Sequence, residues 1–168
     1  MTRQLLLALV CLLLAPVTGH AERPADHHAP PPADQLHLSP ELTGLLQREM
    51  NAIQQGMQTL IPAIVSGNWQ DIAGIGAQIQ NSYIMQQQLT DAQMQELHRS
   101  LPPAFQELDR SFHHAAGMLA HAAQQHNAEL VTFYFYKLTD TCIACHSKFA
   151  GQRFPGLTGE ADIPEHQH

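Results

Sequence analysis

Leu42, Leu46, Met50, Ile53, Met57, Leu60 and Ile64 succeed one another at steps of four, four, three, four, three and four residues. That spacing puts all seven side chains on one stripe of an α-helix but scatters them over both faces of a strand. It therefore predicts helix, and a helix with an apolar stripe needs a partner to cover it. Ser39 suits the N-cap, Pro40 the first helical position and Glu41 the positive end, while Gly67 suits the close. Pro62 is expected to kink the last turn.

The pattern continues to residue 154. Asn68 caps a second helix whose inward side carries Trp69, Ile72, Ile75, Ile79 and either Ser82 or Tyr83. Gly74 and Gly76 weaken this helix but allow a neighbour to come close. Thr90 and Gln93 have capping-box spacing and open a short segment with Met94 and Leu97. Leu101-Pro102-Pro103 breaks that segment and starts a third helix with the stripe Phe105, Leu108, Phe112, Ala115, Leu119 and Ala122. Asn127 caps a fourth, running through Leu130, Tyr134, Leu138, Cys142, Cys145 and Phe149 to Gly151. Val131–Tyr136 is β-like in composition, but it lies inside this capped helical pattern and is read as helix. Four long helices with short links predict an all-α fold, an antiparallel four-helix bundle over residues 39–154.

The ends differ in kind. Arg3 precedes Leu5–Val17, an apolar run of 13 residues broken only by Pro16, and Gly19-His20-Ala21 supplies small residues at −3 and −1. This is the pattern of a secretory signal peptide, residues 1–21, cleaved after Ala21. The run is too short to span a bilayer, so no membrane span is expected in the mature form. Residues 22–38 are a Pro- and His-rich lead-in, and residues 155–168 a tail of similar composition; both are expected to be flexible. Losing Arg3 with the leader takes the formal charge from −7 to −8. An acidic chain without a basic stripe excludes a nucleic-acid partner.

Cleavage also removes Cys11, leaving Cys142 and Cys145 as the cysteines of the mature chain. They belong to Thr141-Cys142-Ile143-Ala144-Cys145-His146, which contains C-x-x-C-H, the attachment signature of c-type haem. Each thiol of such a pair adds to one haem vinyl group, and the adjacent histidine meets the iron from the proximal side. A thioredoxin-like pair would sit near a βαβ pattern, and a zinc site would ask for four ligands; neither context is visible. On a helix, Cys142, Cys145, His146 and Phe149 share one face directed at the core. Export fits as well, because bacteria attach haem covalently outside the inner membrane.

With a leader, four helices and one C-x-x-C-H near the C-terminus, the chain resembles cytochrome c′ and its low-spin, six-coordinate relatives over residues 39–154. The resemblance implies one covalent haem c held by Cys142 and Cys145, with His146 as proximal iron ligand. Phe149 matches the family's aromatic three residues after the histidine; Ala150 stands where the family carries a basic residue, and Arg153 comes later. The distal position of the family lies on the first helix, near Ala52 by helix length. Met50 is on the stripe there and is the candidate sixth iron ligand. His98, His113, His114, His121 and His126 are rivals, expected at exposed or rim positions. Phe112, Phe133, Phe149 and Tyr134 are expected to wall the pocket or fill the core, and Trp69 to anchor packing. Arg48, Arg99, Arg110 and Lys137 are candidates to pair haem propionates.

These residues imply a periplasmic monohaem cytochrome that passes single electrons to a periplasmic redox partner protein and is not an enzyme. A homodimer is one assembly this architecture adopts. Two alternatives stay open: a five-coordinate haem protein binding nitric oxide or carbon monoxide, and a metal-binding module built on the His-rich ends.

Overall fold

The structure is a computed structural model and describes residues 36–158; the leader (1–21), the lead-in up to residue 35 and the tail from residue 159 lie outside the described residues. Everything described is helix, turn or short connection, without a strand.

Helix α1 spans Pro40–Ser66 and is opened by the Ser39 hydroxyl, which accepts the Leu42 N–H at 3.4 Å. Pro62 lies inside it. Gly67 closes it at φ 67°, the left-handed conformation that glycine adopts without steric cost. The buried face is Leu42, Leu45, Glu49, Ile53, Gly56, Leu60 and Ala63. The expected stripe is thus right at Leu42, Ile53 and Leu60 and displaced elsewhere. Leu46, Met57 and Ile64 are half-buried on its flank, and Met50 is 39 % exposed. The displacement has a physical cause that apolar spacing cannot register: the buried row contains a carboxylate and a glycine. Gly56 is buried because Tyr83 and Ile75 lie against it.

Helix α2, Trp69–Gln80, is capped by Asn68, whose side chain accepts the Asp71 N–H at 3.3 Å. A four-residue turn, α3 (Met85–Gln88), and α4 (Asp91–Ser100) follow. Thr90 and Gln93 make both halves of the capping box on α4. Helix α5 spans Pro103–Gln124 and α6 spans Ala128–Phe149. Asn127 caps α6 by accepting the Leu130 N–H at 3.0 Å. The β-like run Val131–Tyr136 is helical inside α6, where cap and flanking pattern outweigh its propensity. Val131, rather than Leu130, is the buried residue of the first turns.

Helix α5 is central: its most extensive contacts are with α2 and with α6, whereas α1 packs on α2 and touches α6 only lightly. The core joins Ile53 and Leu60 of α1, Ile72 and Ile79 of α2, Phe112 and Leu119 of α5, and Val131 and Leu138 of α6. Alanines 115, 116, 122 and 123 let α5 come close to its neighbours. Gly76 does the same from α2, since a Cβ there would lie 2.9 Å from the Ala116 carbonyl oxygen. Gly74 has no such role, with nothing within 4 Å of that position. Past α6, Pro155–Leu157 form one 3-10 turn in contact with α6, so the segment expected to be flexible from residue 155 starts with ordered structure. Among the described residues no helix is long and apolar enough to cross a membrane.

Candidate functional site

The last turns of α6 carry Cys142, Cys145 and His146. Cys142 packs partly buried against the core, Cys145 is half-buried, and both are free thiols. Burial raises the pKa of Cys142. Cys145 is pushed up to about 11, by burial first and then by the charges of Asp109 and Cys142. Both sulfurs are therefore protonated at neutral pH. That is the opposite of a dithiol oxidoreductase, whose attacking cysteine has a depressed pKa.

His146 is held from beyond the helix. Ala150 donates its N–H to the His146 carbonyl at 3.0 Å, and Phe154 donates to Ala150 at 3.0 Å, which folds the chain back. The Phe154 ring then stacks on His146, with centroids 4.5 Å apart and planes 10° from parallel. Burial, and secondarily the positive charge of Arg153, lowers the His146 pKa. The imidazole is thus neutral at neutral pH and keeps a lone pair. Arg153 itself lies over the Phe154 ring, 5.8 Å from its centroid. The turn after α6 so brings a basic residue towards the histidine although Ala150 holds the position expected for it. Phe149 meets Phe105 of α5 edge-on at 5.3 Å.

Other expected residues scatter. Phe112 is buried, but Phe133 is 50 % exposed and lines, with Tyr134, an open groove of about 360 Å³ on the outer flank of α5 and α6. It walls no core site, because α6 turns residues 133 and 137 away from the row of Cys142 and Phe149. Trp69 is a packing residue, stacked on His126 at 5.4 Å. Arg110 is paired with Glu107, and Lys137 lies 3.5 Å from Asp140. His98, His114, His121 and His126 are exposed, as expected. His113 is at the rim: its side chain is 19 % exposed and its Nδ1 lies 2.7 Å from the Ile79 carbonyl oxygen.

Glu49 is the polar residue that apolar periodicity missed. Glu49 is 3 % exposed, and its carboxylate accepts the backbone N–H groups of Tyr83 at 2.9 Å, Ile84 at 2.6 Å and Met85 at 3.2 Å. Spacing alone names no partner for Glu49, because its donors are backbone groups more than thirty residues away. Tyr83 has its pKa raised by burial and by the Glu49 charge.

The donor set suits haem c: two protonated thiols two residues apart on one helix, followed at once by a neutral imidazole. Met50 is 39 % exposed and lies outside the buried row of α1. Among the described residues no three His, Cys, Asp or Glu side chains gather as a metal site. Comparisons with family models, curated proteins and solved structures find no match.

Proposed function

We propose that this chain is an exported, monohaem c-type cytochrome, an electron carrier rather than an enzyme, with its four long helices forming an antiparallel four-helix bundle of cytochrome c′ type. The observation that carries the reading is the placement of Cys142, Cys145 and His146 together on the core-side turns of α6, with the thiols free and the imidazole neutral. The two-residue links between α1 and α2 and three-residue link between α5 and α6 support antiparallel neighbours. The leader pattern supports a periplasmic location.

Haem c held there supplies a one-electron ferric/ferrous couple. Cys142 and Cys145 would hold it through thioethers, and His146 would present its lone pair to the iron. Phe154 fixes the plane of that imidazole, and burial, with the charge of Arg153 second, lowers its pKa. Phe105, Phe112 and Phe149 exclude water from the core side. Met50 on α1 is the candidate sixth iron ligand; its thioether would favour the ferrous form. A second reading, a five-coordinate haem open to nitric oxide or carbon monoxide, draws support from the partly exposed position of Met50 outside the buried row.

The test is the visible spectrum of the protein made with haem-maturation machinery. Narrow low-spin bands insensitive to carbon monoxide, lost in Met50→Ala, support the carrier. Broad bands that shift with the gas select the second reading. Protein without covalent haem overturns both.

A further inference from the structure

The strongest polar cluster outside the attachment motif lies between α1, α2 and α5. His113 of α5 faces two acceptors at once: the Ile79 carbonyl oxygen of α2, 2.7 Å from Nδ1, and the Asp109 carboxylate, 3.5 Å from Nε2. The Phe112 ring meets its edge at 5.6 Å. An imidazole between a carbonyl and a carboxylate satisfies both only as a double donor, which is the imidazolium. From the other packed elements, the Glu49 carboxylate of α1 acts on His113, Tyr83 shares the Glu49 charge, and α6 contributes Cys145, whose thiol feels Asp109. Asp109 therefore acts on both the histidine and the second attachment cysteine.

We propose that His113 is the proton acceptor that couples electron uptake at the Cys142–Cys145–His146 site to pH. This rests on the haem reading above. Haem held by Cys142, Cys145 and His146 would take up one electron from a one-electron donor protein, and one proton from solvent would bind Nε2 of His113 to balance the charge. The 2.7 Å contact keeps the other hydrogen on Nδ1 in both states, so Nε2, beside Asp109, is where the proton arrives and leaves. Burial alone pulls the His113 pKa down, but the Asp109 hydrogen bond and charge, the Ile79 carbonyl and the Glu49 charge together hold it above its ordinary value. The exchange is thus placed above the ordinary histidine range.

The experiment is the midpoint potential of the holoprotein against pH, for wild type, His113→Gln and Asp109→Asn. In wild type the equilibrium constant for reduction should fall with rising pH between the His113 midpoints of the two oxidation states, by up to about tenfold per pH unit. His113→Gln should flatten that dependence. Asp109→Asn, which keeps the imidazole and changes a half-exposed residue, should move the same dependence to lower pH. Ring-proton NMR of wild type provides a check that needs no variant: the His113 titration should move to higher pH on reduction. A haem protein with a pH-independent potential near neutrality, or a His113→Gln protein with the wild-type dependence, overturns the proposal while leaving the carrier intact. Absence of covalent haem overturns the carrier and this proposal with it.

Discussion

Replacing Glu49 tests the least expected feature of the core. Its carboxylate is 3 % exposed and accepts three backbone N–H groups from the turn between α2 and α3. A hydrogen bond to a charged group contributes about 1.5–3 kcal/mol, and an orphaned buried donor costs about 1–3 kcal/mol. The three donors here are only partly buried, so water can reach them once the carboxylate is gone. That lowers the figure for Glu49→Ala to about 3 kcal/mol, within the cost of removing a buried network partner. Glu49→Gln keeps the shape and one acceptor oxygen but turns an NH₂ towards backbone donors, and should cost about 1–2 kcal/mol. In protein made without haem-maturation machinery, Met50→Ala, one residue along at the surface, is the control and should change stability by less than about 0.5 kcal/mol. Urea unfolding followed by far-ultraviolet circular dichroism measures all three. If Glu49→Ala unfolds at the urea midpoint of Met50→Ala, the carboxylate is not holding the turn and the account of the α1 face is wrong.

A β-branched side chain at Gly76 meets the Ala116 carbonyl and Ala120, so Gly76→Val should cost about 2–3 kcal/mol by urea titration, whereas Gly74→Ala, in open space on the same helix, should stabilise by about 0.5–1 kcal/mol. Cys145 in the haem-free protein should react with iodoacetamide far more slowly than a free thiol at pH 8, and its rate should climb as pH approaches 11; fast labelling at pH 8 would contradict the buried, neutral thiol. The sign for stability follows: the unfolded chain loses that proton first, so stability falls as pH rises from 9 to about 11.

The helical class was legible because apolar spacing and caps agree over long stretches. Ser39, Asn68, the Thr90–Gln93 pair and Asn127 sit at the helix starts where sequence places them. The motif was legible because C-x-x-C-H names its own neighbours. What failed was rotation about the α1 axis. The rows Leu42-Leu46-Met50 and Leu42-Leu45-Glu49 differ by one residue at a time, and hydrophobicity chooses the first. The backbone N–H groups of Tyr83, Ile84 and Met85 choose the second, and they lie more than thirty residues away. The partner of His113 was missed for a like reason, since it is a main-chain carbonyl of another helix, which no side-chain pattern encodes. Phe154 escaped notice because the turn that returns it to His146 depends on backbone hydrogen bonds at Ala150.

The link from α5 to α6 is Gln125, His126 and Asn127, and the link from α1 to α2 is Gly67 and Asn68, whereas residues 81–102 separate the two hairpins. Closing the short links costs little chain entropy and the long one somewhat more, and contacts close in sequence form sooner. The expected order of assembly is two helical hairpins, each formed alone, followed by their docking along α2 and α5. Cys142, Cys145 and His146 all belong to the second hairpin, so they come into register on their helix before the first hairpin arrives.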